Sequence, residues 1–81
     1  MKARVTVSPK KTVLDPQGQA IGTALKGRGY AAVQDVRQGK VFEIELATGT
    51  DGGAARQQME EIARDILSNP VIEDFRVEIL D

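Results

Sequence analysis

Apolar and polar residues alternate at both ends of the chain, and this pattern constrains the fold more than any other feature of the sequence. The apolar positions are Ala3, Val5 and Val7 in residues 2–8, and Phe75, Val77 and Ile79 in residues 74–80. A period of two is typical of a β-strand that buries one face. The sequence therefore predicts a strand at each end of the chain.

Two further strands are predicted in the middle of the chain, over residues 33–37 and 41–47. Phe42, Ile44 and Leu46 alternate with polar residues in the second of these. The short connection Gln38-Gly39-Lys40 contains a glycine, which favours a β-hairpin. We therefore expect the two strands to pair with each other.

A first helix is predicted to begin at Pro16, after Asp15 in the N-cap position, and to end at Gly29-Tyr30. Its inward stripe consists of Gln17, Ile21, Ala24, Leu25 and Arg28. Glycines interrupt this helix, which indicates either close contact with another element or a poorly optimised surface helix. Packing must therefore hold the helix in place.

A second helix has the strongest periodicity in the chain. Its apolar positions are Ala55, Met59, Ile62, Ala63, Ile66 and Leu67. Asp51 is placed to cap its start, and Asn69-Pro70 ends it. We expect this helix to cover the apolar face of the sheet.

The predicted element order is β-α-β-β-α-β, in one domain over residues 1–81. This order predicts an α+β, ferredoxin-like fold, in which two helices cover one face of a four-stranded antiparallel sheet of order 4-1-3-2. A chain of 81 residues without cysteine buries little surface and has no disulfide to reinforce it. Self-association is therefore expected.

The composition excludes most kinds of catalytic site. The chain has no histidine and no cysteine, which removes imidazole and thiol chemistry and the usual metal ligands. Its formal net charge of −1 argues against nucleic acid and anionic lipid as partners. No apolar run approaches the length needed to cross a bilayer, so a cytoplasmic location is expected and no membrane partner.

Charged residues are predicted to cluster on the open face of the sheet. Glu43, Glu45 and Arg76 fall on the side of their strands that faces away from the helices. Cross-strand ion pairs would neutralise such a cluster, so it is either a solvated face or a contact with another subunit. A homodimeric domain that binds a small regulatory molecule stays open as an alternative, because such sites leave little trace in sequence.

Four segments together resemble a known family. They are Leu14-Asp15-Pro16-Gln17-Gly18, Gly29-Tyr30, Asp35-Val36-Arg37-Gln38-Gly39-Lys40 and Asn69-Pro70-Val71-Ile72-Glu73-Asp74-Phe75. In this order the segments look like the PurS family, the small subunit of phosphoribosylformylglycinamidine (FGAM) synthase. The resemblance covers essentially the whole chain.

The resemblance implies a non-catalytic subunit of a ligase complex in purine biosynthesis. It implies three partners: further copies of this chain in a dimer or tetramer, a glutaminase subunit that releases ammonia, and a large synthetase subunit. The synthetase uses ATP and Mg to convert formylglycinamide ribonucleotide to its amidine. This chain is expected to hold no cofactor, no metal and no catalytic residue.

The family motifs divide into structural and contact candidates. Asp15-Pro16 and Asn69-Pro70 are explained as a helix start and a helix stop, and Gly29-Tyr30 as a helix end. Asp35, Arg37, Gly39 and Lys40 lie on the predicted hairpin, where they either stabilise the turn or contact another subunit. With Glu43, Glu45 and Arg76 they form the set of candidate subunit-contact residues.

Overall fold

The computed structural model describes residues 1–80, which form three strands and two long helices. The elements in chain order are β1 (Lys2–Pro9), α1 (Pro16–Gly27), β2 (Lys40–Glu45), α2 (Gly52–Ile62), a π-helical turn (Ala63–Leu67) and β3 (Glu73–Leu80). The sheet has the order β2-β1-β3, and both pairings are antiparallel. The α+β class and the antiparallel sheet are as predicted.

The core lies between β1 and α2. Ala3, Val5 and Val7 are fully buried, and Ala55 and Met59 of α2 are buried with them. In the register of the sheet, Val5 lies between Phe42 of β2 and Val77 of β3. The alternation at both chain ends therefore points its apolar side toward α2, which confirms the two terminal strands.

The start and end of α2 follow the predicted signals. The Asp51 side chain accepts a hydrogen bond from the Ala54 N–H at 2.9 Å and so caps the helix. At the other end, the π-helical turn is closed by the Ser68 hydroxyl, which donates to the Ala63 carbonyl at 2.7 Å. The Asn69 carbonyl then accepts from the Glu73 N–H at 2.8 Å, which turns the chain into β3.

The predicted strand over residues 33–37 is wrong, and the sheet has three strands rather than four. Residues 33–39 run without a turn or bend and, within the described residues, pair with no strand. The segment lies instead against α1 and the loop 10–15, through contacts described below. The hairpin at residues 38–40 is also wrong, because the chain continues directly into β2.

Gly39 is needed for close packing rather than for a turn. A Cβ built at this position would lie 2.5 Å from the Val7 carbonyl oxygen. A real side chain would therefore push β2 away from β1 at the point where the two strands begin to pair. The sequence identified the glycine correctly but not the reason for it.

The first helix begins at Pro16 as predicted, and Gly29, with a φ of 95°, follows its end. Within residues 1–80, however, α1 does not pack on the sheet, so the prediction of two helices on one face is wrong. We call residues 10–39 the arm. The chain measures 50 × 26 × 14 Å with a radius of gyration of 16.1 Å, whereas a compact domain of this length has about 12 Å. The arm thus makes the molecule elongated.

Candidate functional site

The described residues hold no buried polar side chain from which an active site could be built. Residues 1–80 contain no buried charged or polar residue and no group of three or more potential metal ligands. Over the same residues, no helix combines the length and apolarity needed to cross a membrane. The candidate functional surfaces are therefore the arm and the outer face of the sheet.

Arg37 joins two parts of the arm, the segment 33–39 and the loop 10–15, through hydrogen bonds. Its guanidinium donates to the carbonyl oxygens of Lys10 at 2.8 Å and Lys11 at 2.7 Å, and also to that of Val13. The Arg37 Nε donates to the Asp35 carboxylate at 3.2 Å. A planar guanidinium with several donors suits this task, which a single ammonium could not perform in the same way. The structure therefore gives Arg37 a role inside the chain, while its predicted contact with another subunit stays a prediction.

Asp15 provides a second link within the arm. It occupies the N-cap position of α1, but its side chain makes no capping hydrogen bond. Its Oδ2 instead accepts from the Gln38 N–H at 2.7 Å. This hydrogen bond stabilises the carboxylate and lowers the pKa of Asp15 below its ordinary value. Asp15 thus joins the start of α1 to the end of the segment 33–38.

Gly18 lets α1 approach that segment closely. A Cβ at Gly18 would lie 2.1 Å from the Val36 carbonyl oxygen, whereas one at Gly22 would lie at an ordinary 3.7 Å from the Val36 side chain. Beside this contact is an open cleft of about 420 Å³. Its lining consists of Gly18, Gln19, Gly22, Thr23, Lys26, Val33, Gln34, Asp35 and Val36. Lys26 and Asp35 are the charged members, one of each sign.

The outer face of the sheet gathers the other predicted residues. Arg4 of β1 lies between Glu43 of β2 and Glu78 of β3, and Lys2 lies opposite Glu45. The Lys2 and Glu43 side chains form an ion pair at 3.5 Å. Within the described part of the chain, no helix packs on this face. It is an exposed surface of mixed charge, as the sequence predicts.

The remaining residues of the candidate set lie at several places. Arg76 lies on β3 beside Thr6, and its guanidinium is 3.8 Å from the Glu78 carboxylate. Lys40 lies on the same side of β2 as Phe42, two residues later, and therefore on the opposite side from Glu43. The structure therefore splits the candidate set into an arm group, Asp35 and Arg37, and a sheet-face group, Glu43, Glu45 and Arg76. Gly39 and Lys40 lie between them.

The base of the arm contains contacts that the sequence analysis missed. The Lys10 N–H donates to the Ile72 carbonyl at 2.9 Å, and the Lys10 ammonium pairs with Asp74 at 3.0 Å. These contacts fix the point where the arm leaves the sheet. No sequence pattern could have revealed them, because they join residues more than 60 positions apart.

Comparison with known proteins assigns the chain to a family. The model of the PurS family, described as phosphoribosylformylglycinamidine (FGAM) synthase, matches residues 2–81. The PurS subunit of phosphoribosylformylglycinamidine synthase from Mycobacterium leprae is 42% identical over 76 residues, which are 94% of this chain and 91% of that protein.

Solved structures agree with this assignment. A Bacillus subtilis PurS structure has a TM-score of 0.81 at 41% identity and covers 99% of this chain and 98% of its own. A structure of PurLQS from Thermotoga maritima contains a chain with a TM-score of 0.84 at 26% identity, covering 98% of this chain and 95% of that one. Family model, sequence relatives and fold agree over nearly the whole length. The chain belongs to the PurS family and is a subunit of FGAM synthase.

Proposed function

We propose that this chain is the bridging subunit of FGAM synthase. In this role it holds a glutaminase subunit against an ATP-dependent synthetase subunit, so that ammonia released from glutamine reaches the amidine-forming step. The observation that carries the proposal is the similarity, over 98% of this chain, to a chain of the PurLQS structure. The chain contributes binding surfaces to the reaction, and the two larger subunits contribute the chemistry.

The shape of the molecule supports a bridging role. Its long axis is 50 Å, and it carries two separate surfaces, the arm and the outer sheet face. The outer face alternates charges of both signs, and such surfaces favour orientation and specificity of a contact over raw affinity. Two surfaces on one elongated body allow two different proteins to be held at once.

The proposal extends to the remaining components of the complex. ATP and Mg belong to the synthetase subunit, and this chain holds neither. The nucleotide substrates of purine biosynthesis support a cytoplasmic location for the complex. The chain also associates with itself. Its elongated shape and its small buried core support this part of the proposal.

A reconstitution tests the bridging role. The synthetase and glutaminase are mixed with and without this chain, and product formation is followed with glutamine and separately with ammonium as the nitrogen donor. Omission of the chain is expected to abolish the glutamine-driven rate and to leave the ammonium-driven rate. Full coupling of the two larger subunits in its absence contradicts the proposal.

A matched pair of variants locates the contact. Glu45→Lys reverses a charge on the outer sheet face, and Glu61→Lys makes the same change on the exposed side of α2. If the outer face binds a larger subunit, Glu45→Lys raises the concentration of chain needed for half-maximal glutamine-driven activity, and Glu61→Lys does not. Equal effects of the two substitutions exclude the outer face as the contact.

A further inference from the structure

The open cleft in the arm has no part in the function proposed above. It lies between α1 and the segment 33–36 and has a volume of about 420 Å³. Sites for small molecules in proteins measure about 300–1,000 Å³, so the cleft has room for a small ligand. Five of its nine lining residues carry polar side chains, namely Gln19, Thr23, Lys26, Gln34 and Asp35. A ligand that fits this cleft is therefore small and polar.

The α1 wall of the cleft is a row of polar side chains. Gln19, Thr23 and Lys26 are spaced by four and three residues, so they share one side of the helix. Ile21 lies about 160° around the helix axis from Thr23, which separates the cleft from the apolar stripe of α1. Within residues 1–80 the Lys26 ammonium forms no ion pair. This wall therefore presents a cation that is available to a ligand.

The opposite wall presents an anion and backbone donors. The Arg37 Nε donates to Oδ2 of Asp35 at 3.2 Å, and within residues 1–80 no donor reaches Oδ1. Carbonyl oxygens of the loop 10–15 hold the same guanidinium, so Asp35 is kept in place although 69% of its side chain is exposed. In the described part of the chain, the backbone N–H groups of Gln34 and Val36 donate no hydrogen bond. These groups are available to oxygen atoms of a ligand.

Charges of opposite sign on the two walls restrict the charge of the ligand. An anion attracted by Lys26 is repelled by Asp35, and the reverse holds for a cation. A neutral ligand leaves both charges unmatched. A zwitterion directs its carboxylate toward Lys26 and its ammonium toward Asp35, and makes charge-assisted hydrogen bonds to both. The amides of Gln19 and Gln34 can then bind a further polar group.

We infer that the cleft binds a free α-amino acid with a polar side chain. Lys26 and the backbone N–H groups of the segment 33–36 hold its α-carboxylate, and Asp35 holds its α-ammonium. Because the two walls belong to different parts of the arm, the ligand joins them, and its binding stabilises the folded arm. The inference goes beyond the bridging function, and neither depends on the other.

Titration of the isotope-labelled chain by NMR tests the binding. The probes are glutamine, which the proposed complex consumes, glutamate and serine. At least one is expected to shift the amide signals of residues 18–26 and 33–36 saturably, with a Kd of about 1 mM, and to raise the Tm. The N-acetyl form of that amino acid lacks the ammonium and its α-amide form lacks the carboxylate, so each is expected to bind about tenfold more weakly or worse.

Two results of the titration overturn the inference. One is the absence of a saturable shift with all three amino acids at concentrations up to about 20 mM, well above the expected Kd. The other is equal binding of the amino acid and its two singly charged forms. Neither result bears on the bridging of the two larger subunits, which the reconstitution measures.

Two matched pairs of variants locate the site. Lys26→Gln removes the cation of the cleft, and Lys11→Gln removes an exposed lysine of the loop 10–15. Gly22→Leu fills the cleft, whereas Gly27→Leu adds the same side chain where a Cβ meets nothing within 4 Å. Lys26→Gln is expected to raise the Kd about tenfold and Gly22→Leu to abolish binding, while both controls bind as the unmodified chain does.

Circular dichroism shows whether each variant is folded. If Gly22→Leu does not fold, the lysine pair decides the outcome, because both lysines are exposed and their substitution leaves the core intact. Equal Kd values for Lys26→Gln and Lys11→Gln overturn the cleft as the binding site.

Discussion

Substitution of Gly18 tests how the arm is held together. Gly18→Ala and Gly22→Ala both replace a helical glycine of α1, and each gains about 0.5–1 kcal/mol of helix propensity. The two positions differ in their surroundings. A Cβ at Gly22 makes an ordinary contact of 3.7 Å, whereas one at Gly18 falls 2.1 Å from the Val36 carbonyl oxygen and 2.8 Å from an Asp15 carboxylate oxygen.

The clash at Gly18 cannot be relieved by rotating a side chain. The nearest atom is a backbone oxygen, so the segment 33–38 must move by about 1 Å or more to restore van der Waals separation. Overpacking of this kind costs about 1–3 kcal/mol, occasionally more. The gain in helix propensity is the same in both variants and cancels when they are compared. Gly18→Ala is therefore expected to be less stable than Gly22→Ala by about 1–3 kcal/mol, the cost of the overpacking.

Two measurements check this difference. Thermal unfolding followed by circular dichroism is expected to place the Tm of Gly18→Ala about 5–20 °C below that of Gly22→Ala. Exchange of the Gln38 amide hydrogen, which donates to Asp15, is expected to be faster in Gly18→Ala alone. If the two variants unfold together and exchange this amide at the same rate, the close packing of α1 on the segment 33–38 is refuted.

Three further substitutions test single contacts. Arg37→Lys removes the planar donor set of the arm and is expected to lower the free energy of unfolding in urea by about 1–3 kcal/mol; an unchanged urea midpoint would contradict the role of Arg37 in holding the arm. Because the folded pKa of Asp15 is lowered, its contribution to stability is complete above the ordinary pKa and lost as pH falls through the folded value; the stability lost in Asp15→Asn at pH 7 should therefore shrink below about pH 4. Asp51→Ala is expected to lower stability by about 1 kcal/mol through loss of the α2 cap, and a Tm equal to that of the unmodified chain would argue against that cap.

Elements that pack on their own core could be predicted from the sequence. The alternation around Val5 and Val77 and the periodicity of α2 each report one buried face, and that face is buried in the structure. The start of α2 depends on a local hydrogen bond from Ala54 to Asp51, three residues apart. Local pattern and local chemistry were therefore sufficient for these elements.

The arm could not be predicted in the same way. Residues 33–37 have the composition of a strand, but their neighbours are set by contacts over long separations in sequence. Arg37 reaches carbonyl oxygens 24–27 residues away, and Gln38 donates to Asp15, 23 residues away. The predicted inward stripe of α1 contains Ile21, Ala24 and Leu25, yet within residues 1–80 α1 packs on no strand and not on α2. Sequence pattern shows that a face needs a partner and not which chain provides it.

The central claim is that this chain joins the other two subunits of FGAM synthase. It is tested most directly by sedimentation of a fluorescently labelled glutaminase with an excess of the synthetase, with and without this chain. The account predicts that the label sediments with the synthetase when the chain is present and as the free glutaminase when it is omitted. If the labelled glutaminase binds the synthetase equally well without the chain, the bridging role is contradicted.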